Sequence, residues 1–262
     1  ICYRETVKLA MEGHELVVHF AAESHVDRSI DGSERFILTN CVGTNLLCDV
    51  AAQMEVKRFV HISTDETYGS RKHGSFTETD KLEPSSPYAA SKAASDLIAL
   101  SHHTTNDLPV IITRSSNNYG PFQFPEKLIP LFVTNLVEGL SVPLYGDGTN
   151  VRDWIHVQDN CSAISTVLQK GEIGQVYNIG AGNELSNLDL TKILIDLCDR
   201  DESAITWVDD RPGHDFRYSI DSTKVRDLGW VPQVDLQAGL EATVQWYQDN
   251  ETWWRAKTAK TQ

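Results

Sequence analysis

Positive charge is scarce in this 262-residue chain: 23 Lys and Arg stand against 37 Asp and Glu, a formal charge of −14. Nucleic acid is held by clustered Lys and Arg on its phosphates, so a general nucleic-acid binder is excluded. No apolar run approaches the ~18 residues of a membrane span, and the opening residues lack a charged-then-apolar leader pattern. The expectation is a cytoplasmic protein without a membrane partner. The five cysteines (Cys2, Cys41, Cys48, Cys161, Cys198) are odd in number, form no CxxC pair and sit mostly in apolar helical patterns, as buried reduced thiols do. Spaced metal ligands are lacking too. His102 and His103 fall at a helix end, and His19 and His61 fall inside strand patterns, so no metal site is expected. A Gly-rich loop between strand and helix is also missing. The pair Gly180 and Gly182 has Leu185 where a third glycine would be needed, and reads as a plain loop.

What is present is an ordinary globular composition, 40% hydrophobic and 23% charged. A folded chain of this length buries roughly 70 to 75% of its unfolded surface, enough for one large core or two smaller ones. Apolar runs predict strands at Leu16 to Ala21, Arg58 to Ser63, Pro109 to Thr113, Val142 to Tyr145, Val176 to Ile179 and Ile205 to Val208. Helical periods fall between them: a stripe from Ile37 to Ala51, then Tyr88 to Thr105, Glu126 to Leu140, Asp159 to Lys170, Leu188 to Cys198 and Gln237 to Tyr247. This alternation predicts an α/β fold with a doubly wound parallel sheet, whose ligands sit beyond the carboxyl ends of the strands. Pro and Gly thicken after Tyr119, which places a domain change there: residues 1–119 on one side, and 120–262 mainly on the other, with elements around 153–180 returning to the first. Residues Arg255 to Gln262 read as a polar tail.

Two short motifs carry chemistry. Thr64-Asp65-Glu66 follows a buried strand, and Tyr88 and Lys92 lie four residues apart on one helical face. An ammonium beside a phenol favours phenolate, so Tyr88 is expected to be tuned downward as a base. Alone, an acidic turn is more often solvated, and a Tyr/Lys pair is more often an amphipathic surface. Their succession shifts the balance: a strand ending Ser-Thr-Asp-Glu, then YxxSK, then a strand leading into Arg114-Ser-Ser-Asn-Asn-Tyr-Gly-Pro121.

The segments Ala21-Ala22-Glu23-Ser24-His25-Val26-Asp27-Arg28-Ser29-Ile30, Ser63 to Gly69, Tyr88 to Lys92, Arg152-Asp153-Trp154 and Asp210-Arg211-Pro212-Gly213-His214 resemble the dTDP-glucose 4,6-dehydratase family of the extended short-chain dehydrogenase/reductases. The likeness runs in order from Ile1 to about Tyr247. It implies a Rossmann-like domain with a smaller α/β substrate-binding domain, NAD as cofactor, dTDP-glucose as substrate and a homodimer built on the Ile37 to Ala51 and Tyr88 to Thr105 helices. It implies catalytic roles for Thr64, Asp65 (acid), Glu66 (base), Tyr88 (base for the C4 hydroxyl) and Lys92. Cofactor contacts carried over are Ala21, Ala22, Glu23, Ser24, Thr39, Tyr88, Lys92 and Asn118. Substrate contacts are Ser24 and Asn117 near the sugar, Lys127 and Leu128 in the following loop, Pro143 and Tyr145 around the base, and Arg152, Asn187, Arg211 and His214 toward the nucleotide. Both carboxylates can address one ring only if the strand ends at about Thr64, since neighbours in a strand face opposite ways.

Two alternatives stay open: an epimerase or decarboxylase of the same superfamily, against which the Asp65-Glu66 pair argues, and an inactive nucleotide-binding fragment. The second arises because the family opens on a Gly-rich strand-helix unit, which this sequence does not contain. The chain is therefore expected to start near the end of the family's third strand and, alone, to hold NAD poorly.

Overall fold

A computed structural model describes residues 1–258. In chain order the elements are α1 (Arg4–Met11), β1 (Leu16–His19), α2 (Val26–Asp31), α3 (Glu34–Phe36) running through a π-helical stretch (Ile37–Gly43) into α4 (Thr44–Gln53), and β2 (Arg58–Thr64). A 3₁₀ turn (Asp65–Tyr68) leads to α5 (Pro87–Asn106), β3 (Val110–Ser115), β4 (Asn117–Tyr119), α6 (Leu128–Val137), β5 (Val142–Tyr145), β6 (Val151–His156) and α7 (Val157–Lys170). The chain continues through β7 (Val176–Ile179), β8 (Glu184–Ser186), α8 (Asn187–Leu197), β9 (Ile205–Val208), α9 (Thr223–Arg226), α10 (Leu236–Asp249) and α11 (Glu251–Thr258).

The main sheet has order β1-β2-β3-β7 and is parallel throughout. Successive strand residues point to opposite faces, and both faces are covered. Phe59, Val110 and Ile112 pack with Val7, Leu47, Val50 and Ala99 from α1, α4 and α5. Val60, Ile111 and Ile179 pack on the other side with Ala163, Ile164 and Val167 of α7. This is the doubly wound arrangement that continuous apolar runs produce.

A second core gathers Phe132 and Leu136 of α6, Leu190 and Leu194 of α8, Leu240, Val244 and Tyr247 of α10, and Trp154 of β6. Two small sheets frame it: β4-β6-β8, with β6 and β8 antiparallel, and the parallel pair β5-β9. All six runs expected to be strands are strands. β4, β6 and β8 were not expected, because Asn117, Asn118, Arg152 and Asp153 interrupt any apolar pattern; Arg152 and Asp153 of β6 are nevertheless buried.

Two expectations need correction. Cys161 is exposed, because α7 turns Asn160, Ala163 and Ile164 inward and Cys161 out, and only Cys48 is buried. Arg255 to Thr258 are not tail but the end of α11, while residues 259–262 lie outside the described residues. Trp254 explains this: its ring is 1% exposed and its Nε1 donates to Tyr247 O at 2.8 Å. No helix among the described residues is long and apolar enough to cross a membrane.

Trp254→Ala is expected to lower unfolding free energy by about 3–5 kcal/mol in urea titration, the usual cost of emptying a buried aromatic site. A change of about 0.5 kcal/mol, typical of the surface, would mean that α11 is not seated.

Candidate active site

β2, β3 and β7 finish level, with Thr64 opposite Ser115 and Ser115 opposite Ile179. At that edge β2 stops. The Thr64 hydroxyl caps the following turn, accepting from Glu66 N at 3.3 Å, and the Thr67 hydroxyl donates to Thr64 O at 2.8 Å. Gly69 lets the chain leave: its φ is +80°, and a Cβ there would lie 2.4 Å from Glu83 O. The strand therefore ends where two adjacent carboxyl groups need it to end.

The two carboxyls differ in surroundings. Asp65 is 3% exposed; its Oδ1 accepts from the Thr64 hydroxyl at 3.2 Å, and its Oδ2 is buried without a partner. Burial, then the charges of Glu66 and Asp153, raise its pKa well above the carboxylate range. Glu66 faces the adjoining cavity. Burial raises it too, but Arg152, Arg211 and Lys127 pull the other way. Both carboxyls are thus raised, Asp65 the further, so that of the two Asp65 holds its proton to higher pH.

α5 brings Tyr88 and Lys92 beside this turn. Ser86 caps the helix, accepting from Ala89 N at 3.1 Å, with Pro87 in its first turn, where a missing N–H costs nothing. The expectation of a lowered phenol fails. Burial, then Glu66 and Asp65, raise Tyr88, with the Thr64 hydroxyl opposing. The Lys92 ammonium donates to Ile62 O at 2.7 Å, and burial pushes it down to about 8, with Asp96 and Cys41 opposing.

Beside the turn lies a cavity of about 280 Å³. Ser24, Asn117, Lys127, Leu128, Pro143, Tyr145, Arg152, Asn187, Arg211 and His214 all line it, as does Glu66. Lys127 and Leu128 form the N-terminus of α6 rather than a loop. Asn117 Oδ1, Asn187 Oδ1 and Trp154 Nε1 are buried without partners, as polar atoms awaiting a ligand are. Arg152 is held rigidly: Nη1 donates to Val151 O at 2.7 Å, Nη2 to Asp215 O at 2.9 Å, and the guanidinium lies 4.1 Å from the Tyr218 ring centroid. Arg211 Nη1 donates to Asp27 Oδ1 at 2.9 Å. The lining combines apolar side chains (Leu128, Phe132, Leu144, Trp154), the cations Lys127, Arg152 and Arg211, and the Glu66 carboxyl, groups that suit a planar base, a pyrophosphate and a sugar respectively.

Of the residues carried over for a cofactor, only Ser24 lines this cavity. Ala21 to Ser24 follow β1, Asn118 follows β3, and Thr39 lies in the π-helical stretch. Asn40, which the sequence did not single out, ties the segment after β1 to α5. It accepts from Glu23 N at 2.8 Å and donates to Glu23 O at 3.0 Å and to Ser91 on α5 at 2.8 Å. Ile62 O is the one protein acceptor on the three Lys92 N–H groups among the described residues. His25 caps α2 and reaches the cavity wall. Asp27, Trp154 and Tyr218 also line the wall. The first two fell inside recognised motifs without a role, and Tyr218 had no signal in the sequence.

The family model described as GDP-mannose 4,6 dehydratase matches residues 4–243. A dTDP-glucose 4,6-dehydratase of Streptomyces niveus is 51% identical over 97% of this chain and 76% of its own length. DesIV, the dTDP-glucose 4,6-dehydratase of Streptomyces venezuelae, crystallised with NAD and TYD bound, superposes with a TM-score of 0.96 at 53% identity, covering 98% of this chain and 80% of DesIV. A UDP-glucose 4-epimerase of Thermus thermophilus in complex with NAD gives a TM-score of 0.90 at 28% identity, covering 95% and 83%.

Removing the Arg211 guanidinium is expected to weaken nucleoside diphosphate binding roughly ten- to a hundredfold, the value of a charge-assisted hydrogen bond. Calorimetric titration of Arg211→Ala checks this, and a loss of less than about twofold would contradict it.

Proposed function

The chain belongs to the family of the GDP-mannose 4,6-dehydratase model, among its dTDP-glucose 4,6-dehydratase members, and we propose that it dehydrates dTDP-glucose to dTDP-4-keto-6-deoxyglucose. The observation that carries this reading is the adjacent Asp65 and Glu66, both raised by burial but opposed unequally, by Arg152, Arg211 and Lys127 at Glu66 and by Arg152 as the one cation at Asp65, beside a cavity lined by those cations. An epimerase needs no such pair, although it shares the fold.

NAD, when bound, supplies a place for the C4 hydride and returns it to C6. Tyr88 takes the C4 hydroxyl proton, with Thr64 hydrogen-bonded to the C4 oxygen and Lys92 holding the phenolate and the ribose. Burial first, and then the charges of Glu66 and Asp65, hold the Tyr88 phenol up; a proton on Asp65 removes one of those repulsions, and Tyr88 accepts the C4 proton once it has lost its own. The C4 ketone acidifies C5. Glu66 takes the C5 proton, and Asp65 gives its proton to the C6 oxygen, which leaves as water. Glu66 then carries the proton that C5 regains when the hydride reaches C6. Asn117 and Ser24 orient the sugar, Arg152 and Arg211 neutralise the pyrophosphate, and Pro143 and Tyr145 flank the base.

On this reading residues 1–119 form the NAD-binding part and 120–262 mainly the substrate-binding part. The protein works in the cytoplasm, which its five free cysteines suit. It pairs as a homodimer through the π-helical stretch and α5, where Ile37, Leu38, Val42 and Leu97 stand exposed.

The NAD-loaded enzyme is expected to form the 4-keto-6-deoxy sugar, with solvent deuterium at C5. Elimination should weaken as pH rises through the raised Asp65 pKa, where the acid is lost, and as it falls through that of Glu66, where the base is lost. Asp65→Asn and Glu66→Gln should slow elimination by roughly 10² to 10⁴ while bound NADH still accumulates; Tyr88→Phe should not accumulate it. Formation of dTDP-galactose without loss of water would contradict the assignment.

A further inference from the structure

Beneath the site lies a buried polar bridge that the chemistry above does not use. Arg114, on the central strand β3 and opposite Ser63 and Asn178 on its neighbours, is 3% exposed. Its Nε donates to Asp96 Oδ2 at 2.9 Å and its Nη1 to the Tyr68 hydroxyl at 2.8 Å, and the guanidinium lies 4.7 Å from the Tyr68 ring centroid. The Tyr68 hydroxyl in turn donates to Asn178 Oδ1 at 2.8 Å. Asp96 and Tyr68 are 0% and 1% exposed.

The two ends of this bridge belong to the two halves of the site. Asp96 lies one helical turn beyond Lys92 and two beyond Tyr88 on α5, on the same face. Tyr68 closes the 3₁₀ turn that carries Asp65 and Glu66. We propose that Arg114 is a positioning residue that spans from the helix bearing Tyr88 and Lys92 to the turn bearing Asp65 and Glu66, with Asp96 both anchoring that span and supporting the charge of Lys92. The planar fork of an arginine can grip two partners at fixed separation, which a lysine cannot. A dry ion pair is by itself weak evidence of stabilisation, whereas the separation it fixes decides whether oxidation at C4 and elimination at C5 and C6 act on one sugar pose.

Of the groups around Lys92, Asp96, one turn along the same helix face and paired directly with Arg114, is the carboxylate whose charge supports the ammonium. His19 on β1 is pushed by burial to about 2, and His61 on β2, 3.4 Å from Asp96, is also lowered by burial. Both are neutral. Burial raises the Cys41 thiol of the π-helical stretch, and burial and the carboxyls raise Tyr88. Arg114 adds positive charge. Burial pushes Asp96 upward, but His61, Arg114 and Lys92 outweigh it and hold it below the ordinary carboxylate range.

The functional part of this inference rests on the dehydratase reading, so its test has two arms. In the NAD-loaded enzyme mixed with dTDP-glucose, Tyr68→Phe, which keeps the ion pair but cuts the span, and Arg114→Lys should still form bound NADH. Elimination should fall by about 10²-fold, the cost of a misplacement near 1 Å, so that NADH accumulates. An unchanged ratio of the two steps, or an equal loss of both, overturns the positioning role. The second arm needs no substrate: in Asp96→Asn the Lys92 side chain, followed by NMR, should titrate below its wild-type value, and in Tyr68→Phe it should not move. No shift in Asp96→Asn overturns the counter-ion role even if the wild type fails to dehydrate the sugar, a failure that would fall on the proposed reaction instead.

Discussion

Two neighbouring carboxyl groups taken out of water at the end of one strand cannot both be ionised cheaply, because each charge loses hydration and repels the other. The structure relieves this conflict unequally. Asp65 sinks into the protein with one oxygen unpartnered, while Glu66 turns to a cavity where Arg152, Arg211 and Lys127 favour its charge. Everything else in the site follows from holding that asymmetry. Had β2 run one residue further, the pair would face opposite sides of the sheet.

Two cores share the task. The main sheet, packed on both faces, gives a rigid edge at Thr64, Ser115 and Ile179 on which the turn and α5 are mounted. The second core holds the far wall of the cavity, and Trp154 belongs to both that core and that wall. The cations that favour an ionised Glu66 come from this second part, from Lys127, Arg152 and Arg211. The protonation pattern of the turn therefore depends on the two parts staying in place. A nucleoside diphosphate, by engaging the same cations, would shift the balance again.

The strands of the main sheet were legible because Arg58 to Ser63 and Pro109 to Thr113 are apolar enough to be buried on both faces. The two candidate motifs were legible because Thr-Asp-Glu follows a strand and YxxSK opens a helix, in that order. β6 was hidden, since Val151 to His156 buries Arg152 and Asp153 and so breaks the pattern that marks a strand. α11 was hidden because its anchors, Trp254 in the core and Trp253 against Phe122 and Trp246, sit among polar residues that read as a tail. The state of Tyr88 was misjudged for a physical reason: spacing shows Lys92 nearby, but not that its ammonium donates to Ile62 O or that two carboxyls crowd the phenol. Asp96 and Arg114 are 18 residues apart in sequence, and only the fold brings them together.

The central claim is that Asp65 keeps its proton where Glu66 has lost its own. Carboxyl carbon NMR titration of the protein, with the two signals assigned through Asp65→Asn and Glu66→Gln, tests it directly. The pair is coupled, so two macroscopic steps are expected. The account predicts that the earlier step, on raising pH, belongs mainly to Glu66 and the later one to Asp65, the latter well above the ordinary carboxylate range. Titration of Asp65 first, or of both groups together near the value of an exposed carboxyl, would contradict it.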